Sequence, residues 1–161
     1  MSVIIRKATK EDADGKGYVH YKSWIETYKG LFPDDVIKGL SLERSVDKAR
    51  EYPENTYVAI VDDKIVGFSC YLESRDEELL NYGEIMAIYI LKQYQGRGIG
   101  KLLIQSCYEE LSHYSGISLW VLKSNLNAIN FYESEGFSKD GKQKYLYGKE
   151  VIRMIKTNKV T

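Results

Sequence analysis

A β-rich apolar run, Gly83–Leu91, leads through a few polar residues into Gln95-Gly96-Arg97-Gly98-Ile99-Gly100-Lys101, which opens an amphipathic segment. This turn constrains the fold more than any other stretch of the chain. Glycine has no Cβ, so a run with three of them bends sharply and aims several backbone N–H groups at one point. The helix that follows, expected over about Gly98–Tyr114 with Ile99, Leu102, Leu103, Cys107 and Leu111 as its apolar face, adds the positive end of its dipole. Such a device holds a phosphate or pyrophosphate, and Arg97 and Lys101 add full charges beside it. Two better-known nucleotide loops fit less well. The dinucleotide fingerprint needs G-x-G-x-x-G, whereas the glycines here are Gly96, Gly98 and Gly100. A P-loop needs Ser or Thr after G-x-x-x-x-G-K, whereas Leu102 follows Lys101.

The rest of the chain punctuates itself clearly. Val3–Lys7 reads as a strand, and Thr9 caps a helix running to about Tyr28, stopped by Gly30 and Pro33. A second helix falls at Pro33–Gly39 or Ser41–Glu51. Tyr57–Val61 and Ile65–Leu72 form a hairpin across Asp62-Asp63-Lys64. Ile117–Leu122 is a strand, and Asn125–Glu135 is a helix closed by Gly136. Gln143–Tyr147 and Lys149–Lys156 are the last strands. With no repeat or low-complexity linker, residues 1–161 read as a single domain. Its class is α+β, or α/β layered, built on one mostly antiparallel sheet.

Composition removes several function classes. Lys plus Arg and Asp plus Glu are both 23 in 161 residues, so the net charge is zero and bulk-charge binding of nucleic acid is not expected. The C-terminal segment holds a local basic excess: Lys139, Lys142, Lys144, Lys149, Arg153, Lys156 and Lys159 against Asp140 and Glu150. It is either a solubilising surface or a face for a polyanion. Cys70 and Cys107 lack metal-site spacing and read as free core thiols, so no metal is expected. No signal-peptide core precedes Arg6, and no apolar run is long enough to span a membrane. Cytoplasmic residence is the default, with no membrane partner.

From Ile88 to Leu103 the chain resembles the cofactor motif of the GNAT acetyltransferase superfamily, Gln/Arg-x-x-Gly-x-Gly/Ala, met by Gln95, Gly98 and Gly100. A second family motif follows one helix and one strand later: Asn125, Ala128, Phe131-Tyr132 and Gly136-Phe137. The motifs cover about Glu84 to Phe137, and the element order covers nearly the whole chain. Lys92 stands where many members have proline. The resemblance implies a GNAT-like fold: a central mixed, mostly antiparallel sheet of about seven strands, splayed at the cofactor cleft, with helices on both faces. It implies acetyl-CoA as acetyl donor. Its pyrophosphate would lie on the amides from Gln95 through Gly96, Arg97, Gly98, Ile99 and Gly100 to Lys101. The backbone of Ile88, Tyr89 and Ile90 would pair with the pantetheine arm. Asn125 would contact that arm or simply cap its helix. Tyr132 matches the tyrosine that protonates the departing thiolate, and Glu84 the general base of histone-type members. Family look-alikes are commonly dimers, so a homodimer is among the expectations.

The acceptor side carries an aromatic stripe, His20, Trp24 and Tyr28, continued by Leu31 and Phe32. Such rings suit either an amine pocket or plain core. The acidic loop Glu73–Glu78 is either an attractor for a cationic amine or a solvated loop. The expected activity is acetyl transfer from acetyl-CoA to a primary amine of a small molecule or peptide. The rivals are a non-catalytic acyl-CoA sensor on the same fold and a nucleotide-dependent enzyme.

Overall fold

Two tight turns set the strand register, and both rest on residues with positive φ. Asp62 and Asp63 (φ 50° and 62°) join β2 (Thr56–Val61) to β3 (Lys64–Glu73). Tyr147 and Gly148 (φ 49° and 78°) join β6 (Ser138–Leu146) to β7 (Lys149–Thr157). Two consecutive positive φ values give the hairpin turn whose twist matches paired strands. The computed structural model describes residues 1–158. Lys159, part of the basic C-terminal excess, lies outside the described residues, as does the end of the expected 1–161 domain.

The other elements are β1 (Val3–Lys7), α1 (Ala13–Tyr28), α2 (Asp34–Lys38), α3 (Leu42–Glu51), β4 (Tyr82–Ile90), α4 (Ile99–Glu110), β5 (Gly116–Leu122) and α5 (Leu126–Ser134). Both helices weighed for residues 33–51 are present. The strands form one seven-stranded sheet in the order β1-β2-β3-β4-β5-β7-β6. The β1–β2, β2–β3, β5–β7 and β6–β7 pairs are antiparallel, and β4–β5 is parallel. The β4–β5 register is short, from Tyr82↔Gly116 to Glu84↔Ser118.

The chain divides into two compact units. The first comprises Met1–Cys70 and Ala87–Glu109. Alternation along β2 gives it two cores. Ala59 and Val61 pack with Val66, Ile99 and Leu103, burying the face of α4. Val58 packs with Val19, Phe68 and Leu91, burying the face of α1. Helices therefore cover both faces of this part of the sheet. Gly17 sits mid-helix in α1, where a Cβ would come within 2.6 Å of the Val46 backbone in α3. The close approach of the two helices offsets glycine's poor helix propensity.

The second unit comprises Tyr71–Met86 and the chain from Glu110 onward. Here α4 ends four residues sooner than the expected Tyr114. The Ser115 N–H bonds the Asn81 carbonyl (2.7 Å) and draws the chain into β5 at Gly116. Leu111 is buried in the turn after the helix, while Leu102 is 44% exposed, so the apolar face is Ile99, Leu103, Ile104 and Cys107. β6 begins at Ser138, ahead of the expected Gln143, because an irregularity between Lys139 and Gln143 absorbs Gly141 at φ 89°.

Candidate active site

In the first unit, β4 ends at Ile90, and a short 3-10 turn, Lys92–Tyr94, carries the chain into the glycine run. Gly96 and Gly98 have φ of 75° and 84°, and no atom lies within 4 Å of a Cβ built on either. They are needed for conformation and not for space. Gly100 lies inside α4, so two glycines make the turn rather than three. Gln95, Gly96, Arg97, Gly98 and Lys101 are exposed. The first intrahelical bond runs from Leu102 N–H to Gly98 C=O, leaving the preceding helix amides without acceptors in α4. The Gln95 amide donates to the Ile90 carbonyl (3.0 Å) and ties the turn back to the strand. Arg97 lies over the Tyr94 ring, 5.4 Å from its centre. The geometry fits a diphosphate: exposed donors, open space, a helix start and two cations.

The side chains of Ile88 and Ile90 pack toward the α4 core, and that of Tyr89 toward the α1 core. Tyr89 meets the aromatic stripe. Its hydroxyl is 3.4 Å from that of Tyr28, and its ring stacks on His20 with centres 6.0 Å apart. Trp24, Tyr28 and Phe32 form their own trio, Trp24–Tyr28 being 4.5 Å apart and Tyr28–Phe32 5.1 Å. The stripe therefore divides: His20 joins Phe68 and Tyr89, and the other three rings pack together. Burial pushes the His20 imidazole down to about 4.

In the second unit, Glu84 is 1% exposed on β4. Its Oε1 accepts the Arg75 backbone N–H (3.1 Å), and its Oε2 accepts the Arg75 guanidinium. The hydrogen bond to Glu84 holds the Arg75 guanidinium above its ordinary range. Nearby, Arg153 is 3% exposed and binds Asp140 (2.7 Å), Glu78 (2.7 Å) and Asp76 (3.4 Å), and the Trp120 indole N–H donates to Asp76 (3.0 Å). Two expectations change here. The acidic loop is not free to attract a cationic amine through Asp76 and Glu78, because Arg153 binds them. Nor do the C-terminal cations form one free face. Arg153 is buried, Lys156 donates to the Glu135 carbonyl (2.7 Å), and Lys144 lies 4.1 Å over the Trp120 ring.

The Asn125 side chain accepts from Ala128 N–H (3.2 Å) and caps α5. Tyr132 is half-buried on α5, its ring edge-on to Phe131 and Phe137. Gly136 closes the helix at φ 96°.

Residues 20–137 match the acetyltransferase (GNAT) family. The chain belongs to that family. The acetyl donor of GNAT enzymes is acetyl-CoA. An uncharacterised N-acetyltransferase of Bacillus subtilis is 30% identical over 82% of this chain and 78% of its own length. The spermidine N(1)-acetyltransferase of Thermoplasma acidophilum is 27% identical over 85% of this chain and 89% of its own. Among solved structures, a Pyrococcus horikoshii protein superposes with TM-score 0.77 at 28% identity, covering 99% of this chain and 100% of that one. A Thermoplasma acidophilum N-acetyltransferase in complex with coenzyme A superposes with TM-score 0.77 at 22% identity, over 98% and 99%, and shares the fold.

For this GNAT chain, the sequence did not disclose three contacts: Arg75 on Glu84, the Gln95–Ile90 tie, and the Tyr89 side chain against His20 and Tyr28. The one local signal was the position of Gln95 five residues after Ile90, close enough for a side chain to fold back. Among the described residues, no helix is long and apolar enough to cross a membrane, and no group of three or more His, Cys, Asp or Glu could hold a metal.

Proposed function

We propose that this GNAT protein transfers the acetyl group of acetyl-CoA directly to a primary amine of a small molecule or peptide. The observation that carries the reading is the pair of positive-φ glycines, Gly96 and Gly98, with open space beside them at the exposed start of α4. Gln95 through Lys101 hold the pyrophosphate, with backbone N–H groups as donors and Arg97 and Lys101 as counter-charges. The amides of Ile88, Tyr89 and Ile90 align the peptide-like arm; the Ile90 carbonyl is already taken by Gln95. By its motif position Asn125 has a role toward the arm, for which its NH2 group is left, since its oxygen caps α5.

Acetyl-CoA supplies an activated thioester. The amine nitrogen attacks the acetyl carbonyl, a C–N bond forms, the C–S bond breaks, and the thiolate needs a proton. Tyr132 donates it. The strand amides stabilise the charge developing on the carbonyl oxygen. We assign the amine proton to a water relay rather than to Glu84 directly, because both Glu84 oxygens are engaged by Arg75. Holding amine and thioester together contributes much of the rate.

The test combines thermal shift with turnover. Coenzyme A should raise the melting temperature more than ATP or NAD, and an amine panel with acetyl-CoA should release free thiol. Tight coenzyme binding without turnover on any amine would mark a sensor instead. Stabilisation by ATP or NAD alone would mark a nucleotide enzyme.

A further inference from the structure

One face of α1 carries three polar side chains, each about one turn from the next: buried Lys16 and Ser23, with half-buried His20 between them. Lys16 is 9% exposed and Ser23 2%. The His20 Nδ1 and Ser23 Oγ atoms are buried with no hydrogen-bond partner. Lys16 makes no side-chain hydrogen bond or ion pair; its Nζ lies 4.6 Å from the centre of the Phe68 ring. His20 flanks the same ring edge-on at 5.9 Å, so the ammonium and the imidazole converge on Phe68. The titratable groups that act on Lys16 are Cys70, which favours its charged form, and Lys48, which repels it.

An unpaired buried polar group is costly, and a largely buried charge costs more. A bridging water satisfies a hydroxyl or an imidazole, but it does not neutralise an ammonium. Cation–π contact with Phe68 offsets only part of that cost. The residues supply one positive charge without an ion-pair partner, with a second cation at Lys48, together with an imidazole and a hydroxyl able to donate. That set matches one carboxylate: a single negative charge with two oxygens for three donors. A dianion would bring a second charge without a partner. A polyamine would bring further positive charge against Lys16 and Lys48.

We propose that Lys16, His20 and Ser23 bind a small monocarboxylate in the first unit, beside Phe68 and Tyr89. Resting on the acetyltransferase reading above, we assign that carboxylate to the acceptor, which is then an amino acid-like amine. His20 stacks on Tyr89, whose backbone is assigned to the acetyl donor, and this places the carboxylate one aromatic ring away from the donor arm.

The experiment has a binding arm and a turnover arm. Phenylacetate is titrated into the protein without acetyl-CoA while the imidazole signals are followed by NMR; the chain has two histidines, so His20 is readily assigned. The His20 signals should shift in the wild type and in Lys16→Arg, and stay fixed in Lys16→Met. No shift in the folded wild type, or an equal shift in Lys16→Met, overturns the site. The turnover arm compares tyrosine with tyramine and lysine with cadaverine. The carboxylated member of each pair should have at least a tenfold higher kcat/KM, and Lys16→Met should bring the pair near parity. A wild-type preference for the decarboxylated amines overturns the acceptor assignment. No turnover on any amine would mean that the acetyltransferase reading has failed, and the binding arm then decides the site by itself.

Discussion

Arg75 closes both oxygens of Glu84, one through its backbone N–H at 3.1 Å and the other through its guanidinium. The carboxylate is buried, while the Arg75 side chain is 56% exposed. Removing the cation strands a buried negative charge, which is costlier than removing the pair. Arg75→Met should therefore destabilise by about 1–3 kcal/mol, below the fully buried case because Arg75 is half in solvent. The double variant Arg75→Met/Glu84→Gln should recover part of that loss in urea denaturation. A double variant no more stable than Arg75→Met alone would refute the pairing argument.

Tyr132→Phe keeps the ring contacts with Phe131 and Phe137 and removes only the hydroxyl. Loss of a general acid should lower kcat more than about tenfold, with coenzyme affinity unchanged by calorimetry. An unaltered kcat would take Tyr132 out of the chemistry.

Gly98 has open space at its Cβ position and a φ of 84°. Gly98→Ala thus adds conformational strain without a clash, about 1 kcal/mol. Bending of the turn to relieve it should weaken coenzyme A binding at least severalfold. Gly30 also has positive φ and open space, and it lies outside the turn. Gly30→Ala should carry similar strain without the loss of affinity. Equal coenzyme A dissociation constants for the two variants would argue against a phosphate cradle.

Burial holds the His20 pKa at about 4 in the fold, against 6.5 for a free imidazole. Between those values the unfolded chain takes a proton that the folded chain refuses. The His20 contribution to stability is therefore complete above pH 6.5 and is lost as pH falls through 4, up to about 3 kcal/mol. His20→Phe should flatten the stability profile across that window relative to wild type. Superimposable profiles would show that His20 is not held neutral by desolvation in the fold.

Local chemistry made the elements legible. Asp62-Asp63 marks one hairpin, Gly136 ends α5, and the limits of β1 match Val3–Lys7. The glycine turn was legible because glycine spacing and a helix start are sequence-adjacent. Pairings that depend on strand register were not. Arg153 meets Asp76 and Glu78 across more than seventy residues, and Glu84 meets a partner nine residues away across a loop. Nothing local shows that Asp76 and Glu78 are bound rather than solvated. Asn125 and Tyr132 were singled out by motif position, and the cap at Asn125 was foreseeable because asparagine is a favoured N-cap. Lys16 escaped notice because a single lysine in an amphipathic helix ordinarily reaches solvent. Only packing of α1 on β3 shows it lying over Phe68.

Acetyl transfer itself is tested most directly with acetyl-CoA labelled in the acetyl carbonyl. After incubation with the protein and the amine panel, mass spectrometry should find labelled N-acetyl product on at least one amine. Free coenzyme A should appear in equal amount, and both should fall together in Tyr132→Phe. Thiol released without any labelled amide, or no release despite saturating coenzyme binding, would contradict the account.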